Sequence, residues 1–268
     1  MRLIDTHSHL YEPEFDPDRE AALARATAAG VGRLLLPAID SASHERLFEL
    51  CRSHPGQCIP MMGLHPTSVN DNPRWREELA LVERYLETPP ARIGRFCAVG
   101  EIGLDLYWSR DFEAEQTEAF RRQIDLALQH DLPIAVHTRD AWPETLALLR
   151  EYRGQGLRGV LHAYSDGLET YRELKNCGDF FFGIGGVVTF KKSKLAETVQ
   201  QMELANLVLE TDCPYLTPAP HRGERNESAY VRLVCDKVAE LKEVTAEEVA
   251  AATTANAVRL FGLTDMQA

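Results

Sequence analysis

Residues 3–10 read LIDTHSHL, a short apolar run that ends in two histidines two positions apart. Successive side chains of a strand point to opposite faces, so His7 and His9 project to the same side and their imidazoles can share an ion. Alone, the pair fits two satisfied core histidines equally well, and the rest of the chain has to decide. Comparable apolar runs recur at 33–38, 59–63, 97–101, 133–137, 160–162, 180–183 and 207–210, which with the first make eight candidate strands.

Longer segments with helical spacing separate these runs. In AEQTEAFRRQIDLALQHD (114–131) Phe120, Ile124, Leu126 and Leu128 lean to one side, and AWPETLALLREY (141–152) places Pro143 where a helix start tolerates it. The last, TAEEVAAATTANAVRLFGL (245–263), reads as a terminal helix begun by Thr245 and closed by Gly262. Eight β-then-α units within 268 residues are the pattern of an α/β protein of the (β/α)8 TIM-barrel class. Its helices cover a closed parallel sheet, and active sites form at the C-terminal strand ends. A doubly wound open sheet is the structural rival. Without a linker, repeat or low-complexity segment, one barrel domain spanning 1–268 is expected.

The chain holds 41 acidic against 29 basic residues, a formal charge of −12, which disfavours generic nucleic-acid binding. A phosphate substrate therefore needs local cations. Cys51, Cys58, Cys97, Cys177, Cys213 and Cys235 form no C-x-x-C pair and are expected to be reduced and mostly buried. No secretory signal or apolar span is legible, so a cytoplasmic protein without a membrane partner is expected.

The candidate ligands fall at strand ends. His7 and His9 follow LIDT, Glu101 ends CAVGE, His137 ends PIAVH, His162 ends GVLH, and Asp212 follows LVLET. Burying four histidines and two carboxylates is unfavourable unless cations compensate their desolvation, and mixed imidazole and carboxylate suit Zn2+, Mn2+ or Fe, with Mg2+ where carboxylate dominates. Asp212, just before Cys213-Pro214, could instead cap a helix.

Seven segments, IDTHSHL, GLHP, VGEIGLDLYW, PIAVHTRDAW, LHAYSD, LETDCPYL and HRGERNE, in this order across nearly the whole chain, resemble the TatD-like metal-dependent deoxyribonucleases. These are amidohydrolase-type barrels with His-x-His on the first strand. The resemblance implies two divalent ions per chain, Zn2+, Mg2+ or Mn2+, and allows a third. It makes His7, His9 and Glu101 ligands of one ion, with Asp212 beside it, and Glu101, His137 and His162 ligands of the other. Glu101 then bridges, and Asp212 orients or deprotonates the attacking water; Glu101 and Asp212 are thus the catalytic carboxylates. The implied reaction is hydrolysis of DNA phosphodiester bonds through a metal-activated water, with 3′–5′ exonuclease character on single strands or chain ends, in DNA repair or degradation. The alternative is an amidohydrolase-type hydrolase of a small ester, lactone or phosphotriester.

Substrate contacts are expected from His65 after the third strand and from Arg222, Arg225 and Asn226 after the eighth, where guanidinium groups can fork onto phosphate oxygens. Lys191, Lys192 and Lys194 of FKKSK stand out in an acidic chain and could form a basic rim. A plain loop histidine and solvated surface charges are the competing explanations. Asp105, Tyr107, Arg139 and Glu210 are candidates for orienting the ligands, whereas His44, His54, His130 and His221 are expected to be structural or exposed. The sequence departs from the family pattern at Ser228, where a proline commonly follows the Asn-Glu pair.

Overall fold

The computed structural model describes residues 1–263. Its strands are β1 (Leu3–Asp5), β2 (Val31–Leu36), β3 (Cys58–Pro60), β4 (Val99–Asp105), β5 (Ile134–Arg139), β6 (Arg158–Leu161), β7 (Asp179–Ile184) and β8 (Leu207–Leu209). Consecutive strands pair in parallel as β1-β2-β3 and β4-β5-β6-β7-β8. Two single bridges, Met62 with Val99 and Ser8 with Cys213, join the two sheets into a closed ring. The fold is therefore the expected (β/α)8 barrel, and the open-sheet rival is excluded because β1 and β8 meet.

The helices α1 (Arg19–Ala28), α2 (Ser41–Ser53), α3 (Trp75–Glu87), α4 (Glu113–Gln129), α5 (Trp142–Glu151), α6 (Leu168–Lys175), α7 (Leu195–Gln201), α8 (Val231–Lys242) and α9 (Ala246–Phe261) follow. Thr245 begins α9, accepting a hydrogen bond from Glu248 N, and Gly262, at φ 60°, closes it, as expected. Its last turn has a role the helical pattern did not reveal. Ala257, Leu260 and Phe261 pack against Ile4, Leu35, Met61, Ala135, Val160, Phe181 and Val208, so α9 plugs the N-terminal end of the barrel.

That plug fixes which way the strands face. Ala135, Val160 and Val208 point inward, so two residues further along, His137, His162 and Glu210 point inward too. Strands β4 and β5 run further than the apolar runs suggest, to Asp105 and Arg139, paired through Gly103–His137 and Asp105–Arg139. Glu101 thus lies inside its strand, whereas β8 ends at Leu209, before Glu210. All six cysteines are free and buried. Among the described residues no helix is long and apolar enough to cross a membrane.

Candidate metal centre

The carboxylate of Glu101, 2% exposed, stands at the centre of the barrel mouth with a different set of neighbours on each oxygen. Its Oε2 lies 3.0 Å from His7 Nε2 and 3.6 Å from His9 Nε2. Its Oε1 lies 2.9 Å from His137 Nδ1, 3.5 Å from His65 Nε2 and 3.7 Å from His162 Nε2. Asp212 Oδ1 completes the cluster, 3.5 Å from His9 Nε2, 3.8 Å from His7 Nε2 and 3.7 Å from His162 Nε2. No helix starts at Asp212. The residue turns to φ 58° and its carbonyl accepts from Tyr215 N, which removes the helix-cap explanation.

Contacts behind His9, His65, His162 and His137 bear on what each presents to the centre. Tyr11 OH donates to Pro37 O at 2.6 Å, so at 3.0 Å it accepts from His9 Nδ1, and the Nε2 lone pair of His9 is left facing the centre. His65 is the opposite case. Its Nδ1 accepts from Thr67 N, which puts the ring proton on Nε2 and makes His65 a donor over the site. His162 Nδ1 lies 2.9 Å from Glu210 Oε1, and the same oxygen accepts from Ala163 N. A Cβ on Gly183 would fall 2.0 Å from Glu210 Oε2, so only glycine leaves room for that carboxylate. His137 Nε2 faces Asp105 Oδ2 at 3.0 Å.

The charges follow from burial against neighbours. Burial disfavours an ionised Glu101, yet His7, His65 and His162 and the hydrogen bond from His137 hold its carboxyl well below the usual range. Burial also opposes charge on His137 and His162. Asp105 and Glu101 nonetheless raise His137 to about 9, and Glu210, Asp212 and Glu101 raise His162 to about 10. His7 is lowered by burial and by His162, whose ring stacks on it with centroids 3.4 Å apart.

These donors fit divalent metal. His7 Nε2 and His9 Nε2 approach to 3.2 Å, both beside a carboxylate, an arrangement that repels unless a proton or cation sits between them. Three ligand groups meet within 4.8 Å: His7, Glu101 and His162; His7, His9 and Asp212; and His65, Glu101 and His137. Glu101 belongs to two of them.

The expected substrate contacts divide. Arg222 is exposed, stacks 3.7 Å over Phe190 and donates to Thr217 O, so it sits beside the loop carrying the exposed Lys191 and Lys192. Two expectations need correction. Arg225 is bound to Asp18 through both of that carboxylate's oxygens and stacks on Phe15, because α1 packs against this loop; its charge is already neutralised. Asn226 is wholly buried, donates to Thr211 O and Tyr215 O and accepts from Glu227 N, so no donor remains for substrate. Instead it clasps the loop that carries Asp212. Asn226→Ala is expected to lower stability by about 1–3 kcal/mol through two stranded carbonyls, which a denaturant melt would measure.

Sequence reasoning missed Asp5 and Tyr11. Asp5 accepts from His7 N, Thr211 N and Thr211 Oγ1, tying β1 to the chain after β8 beneath the ligands, and burial raises its pKa to about 7. An acid inside the apolar run LID was the available signal, and Tyr11 continues the alternation of His7 and His9. The unusual Ser228 is buried, with its Oγ 3.0 Å from Ser8 Oγ.

A closed parallel barrel that gathers four histidines and two carboxylates at its strand ends defines a metal-dependent hydrolase. The family model for TatD related DNase matches residues 4–262, and the chain belongs to that family. It is 37% identical over 264 residues to the uncharacterized metal-dependent hydrolase YabD of Bacillus subtilis, covering 97% of this chain and 98% of that protein. The crystal structure of YjjV, a TatD homolog from Escherichia coli K12, superposes with a TM-score of 0.88 at 30% identity, covering 98% of this chain and 99% of that one.

Proposed function

We propose that the protein is a deoxyribonuclease that hydrolyses phosphodiester bonds, acting on single strands or chain ends with 3′–5′ exonuclease character. The carrying observation is the divided carboxylate of Glu101, whose two oxygens face separate histidine groups; the family description supports DNA as substrate. Two divalent ions are proposed, held by His7, His9, Glu101 and Asp212 on one side and by Glu101, His137 and His162 on the other. Bound there, they would supply Lewis acidity to a phosphate oxygen and make a water acidic enough to lose its proton near neutral pH.

The chain's own groups do the rest. Asp212, the most open of the central carboxylates at 15% side-chain exposure, orients the attacking water and takes up its proton. His65 Nε2–H donates to a phosphate oxygen, while Asp105 and Glu210 hold His137 and His162 in place. Arg222, Lys191 and Lys192 hold neighbouring phosphates, which predicts that DNA affinity falls steeply with salt despite the acidic chain.

The test is purified protein with single-stranded DNA labelled at either end, under Mg2+, Mn2+ or Zn2+, beside a lactone and a neutral phosphotriester. Shortening from the 3′ end, loss in EDTA and at least about a hundredfold loss of kcat in Asp212→Asn are expected. Turnover of the neutral esters with intact DNA would instead favour the small-ester alternative.

A further inference from the structure

Among the described residues the exposed Phe, Tyr and Trp side chains are Tyr107, Trp108 and Tyr215, at 51%, 68% and 51% exposure. All three follow strand ends at the barrel mouth. Scattered surface aromatics need no explanation, but every one gathered on the rim of a catalytic centre does. Tyr107 and Trp108 lie edge to face with centroids 4.9 Å apart. The Arg139 guanidinium lies 3.6 Å from the Tyr107 ring centroid and 5.5 Å from that of Trp108. Arg139 has no carboxylate within ion-pair reach among the described residues, so its edge N–H groups remain able to meet a phosphate.

The strands determine where this group stands. Arg139 is two residues beyond His137 on β5, and Tyr107 two beyond Asp105, whose carboxylate touches His137. Two residues of strand rise about 7 Å, so the platform sits one step outward from the centre, a spacing suited to a neighbouring nucleotide rather than the scissile one. Tyr107 N donates to Asp105 Oδ1, which ties the platform to the residue that orients His137.

We propose that Tyr107, Trp108 and Arg139 form a base-stacking subsite, taking one unpaired nucleobase on the rings and its phosphate on the guanidinium. The charge is complementary and the rings are sequence-tolerant, as nonspecific single-strand binders require. A base inside a duplex is already stacked on both faces, so the subsite selects single strands or frayed ends. It rests on the deoxyribonuclease reading and supplies that activity's strand preference.

The experiment compares an end-labelled single strand with the same strand carrying one abasic nucleotide. In the wild type, cleavage at the phosphate next to the missing base is expected to fall by about tenfold or more, through KM. Trp108→Ala and Tyr107→Ala should erase that dependence, Trp108→Phe should keep most of it, and Arg139→Ala should flatten the salt dependence. Oligothymidylate should quench tryptophan emission in the wild type and not in Trp108→Phe. Both rings are exposed, so the core tolerates their truncation. Equal cleavage of both strands by the wild type, or a base dependence that survives Trp108→Ala, overturns the subsite while leaving the nuclease intact. Absence of any DNA cleavage overturns both.

Discussion

Glu101→Ala is expected to lower kcat/KM toward DNA by about a thousandfold or more, since several kcal/mol of lost stabilisation convert at about 1.4 kcal/mol per factor of ten. The geometry explains why a single residue should weigh so much. Each Glu101 oxygen serves a different histidine group, His7 and His9 on Oε2 and His137, His65 and His162 on Oε1. Removing the carboxylate therefore weakens both proposed ion sites together, and metal analysis should find the variant depleted at each. Glu101→Gln should be nearly as poor, because an amide keeps the volume but presents one acceptor and no charge. Asp105→Asn, which among the clustered histidines touches only His137, should fall by about ten- to a hundredfold. The backbone of β4 is held by β5 and by Ala38 O, which accepts from Glu101 N, so circular dichroism should find the barrel intact. DNA cleavage at wild-type rate by Glu101→Ala would place the chemistry elsewhere in the barrel.

The barrel was legible because strands of a closed parallel sheet are buried on both faces and read as short apolar runs. Where those runs failed was informative. The β4 and β5 ends at Ile102–Asp105 and Thr138–Arg139 lie beyond the runs read as strand, because Gly103 is a poor strand residue and Asp105, Thr138 and Arg139 are polar where the sheet enters the site. The clustering of these side chains was legible for the same reason: a His or Glu ending an apolar run at the barrel's C-terminal end has few reasons to be there. Partners far apart in the chain were not. Arg225 looked free because Asp18 stands 207 positions away, and Asn226 looked polar and available although its bonds run to the loop around Asp212. His65 was located but not its proton, which depends on Thr67 N, a contact made only when the chain turns after β3.

Chelation should produce the second large effect, a fall in Tm of about 10 °C. Ligand held at a thousand times its Kd contributes about 4 kcal/mol, and a domain of this size moves about 2–4 °C per kcal/mol. The fall should widen as pH rises from 6 to 8. Without metal, the folded pKa values of His137 and His162, about 9 and about 10, exceed the roughly 6.5 of an unfolded histidine. Both imidazoliums therefore stabilise the metal-free fold fully below about pH 6.5, and that contribution declines progressively above it and is gone once pH has risen past about 9 and about 10. Metal must displace those protons to reach the nitrogens, so affinity rises with pH across the neutral range while the metal-free protein stays protonated there. Loading should accordingly release at least about two protons at pH 7, one each from His137 and His162, and His9, raised despite its burial by Asp212 and Glu101, adds to that release. His7 adds none, since burial and His162 already keep it neutral. Calorimetric titration of Zn2+ in two buffers of different ionisation enthalpy counts these protons directly. A release near zero would mean that neither imidazole gives up its proton to metal, and His137 and His162 would leave the proposed ligand set.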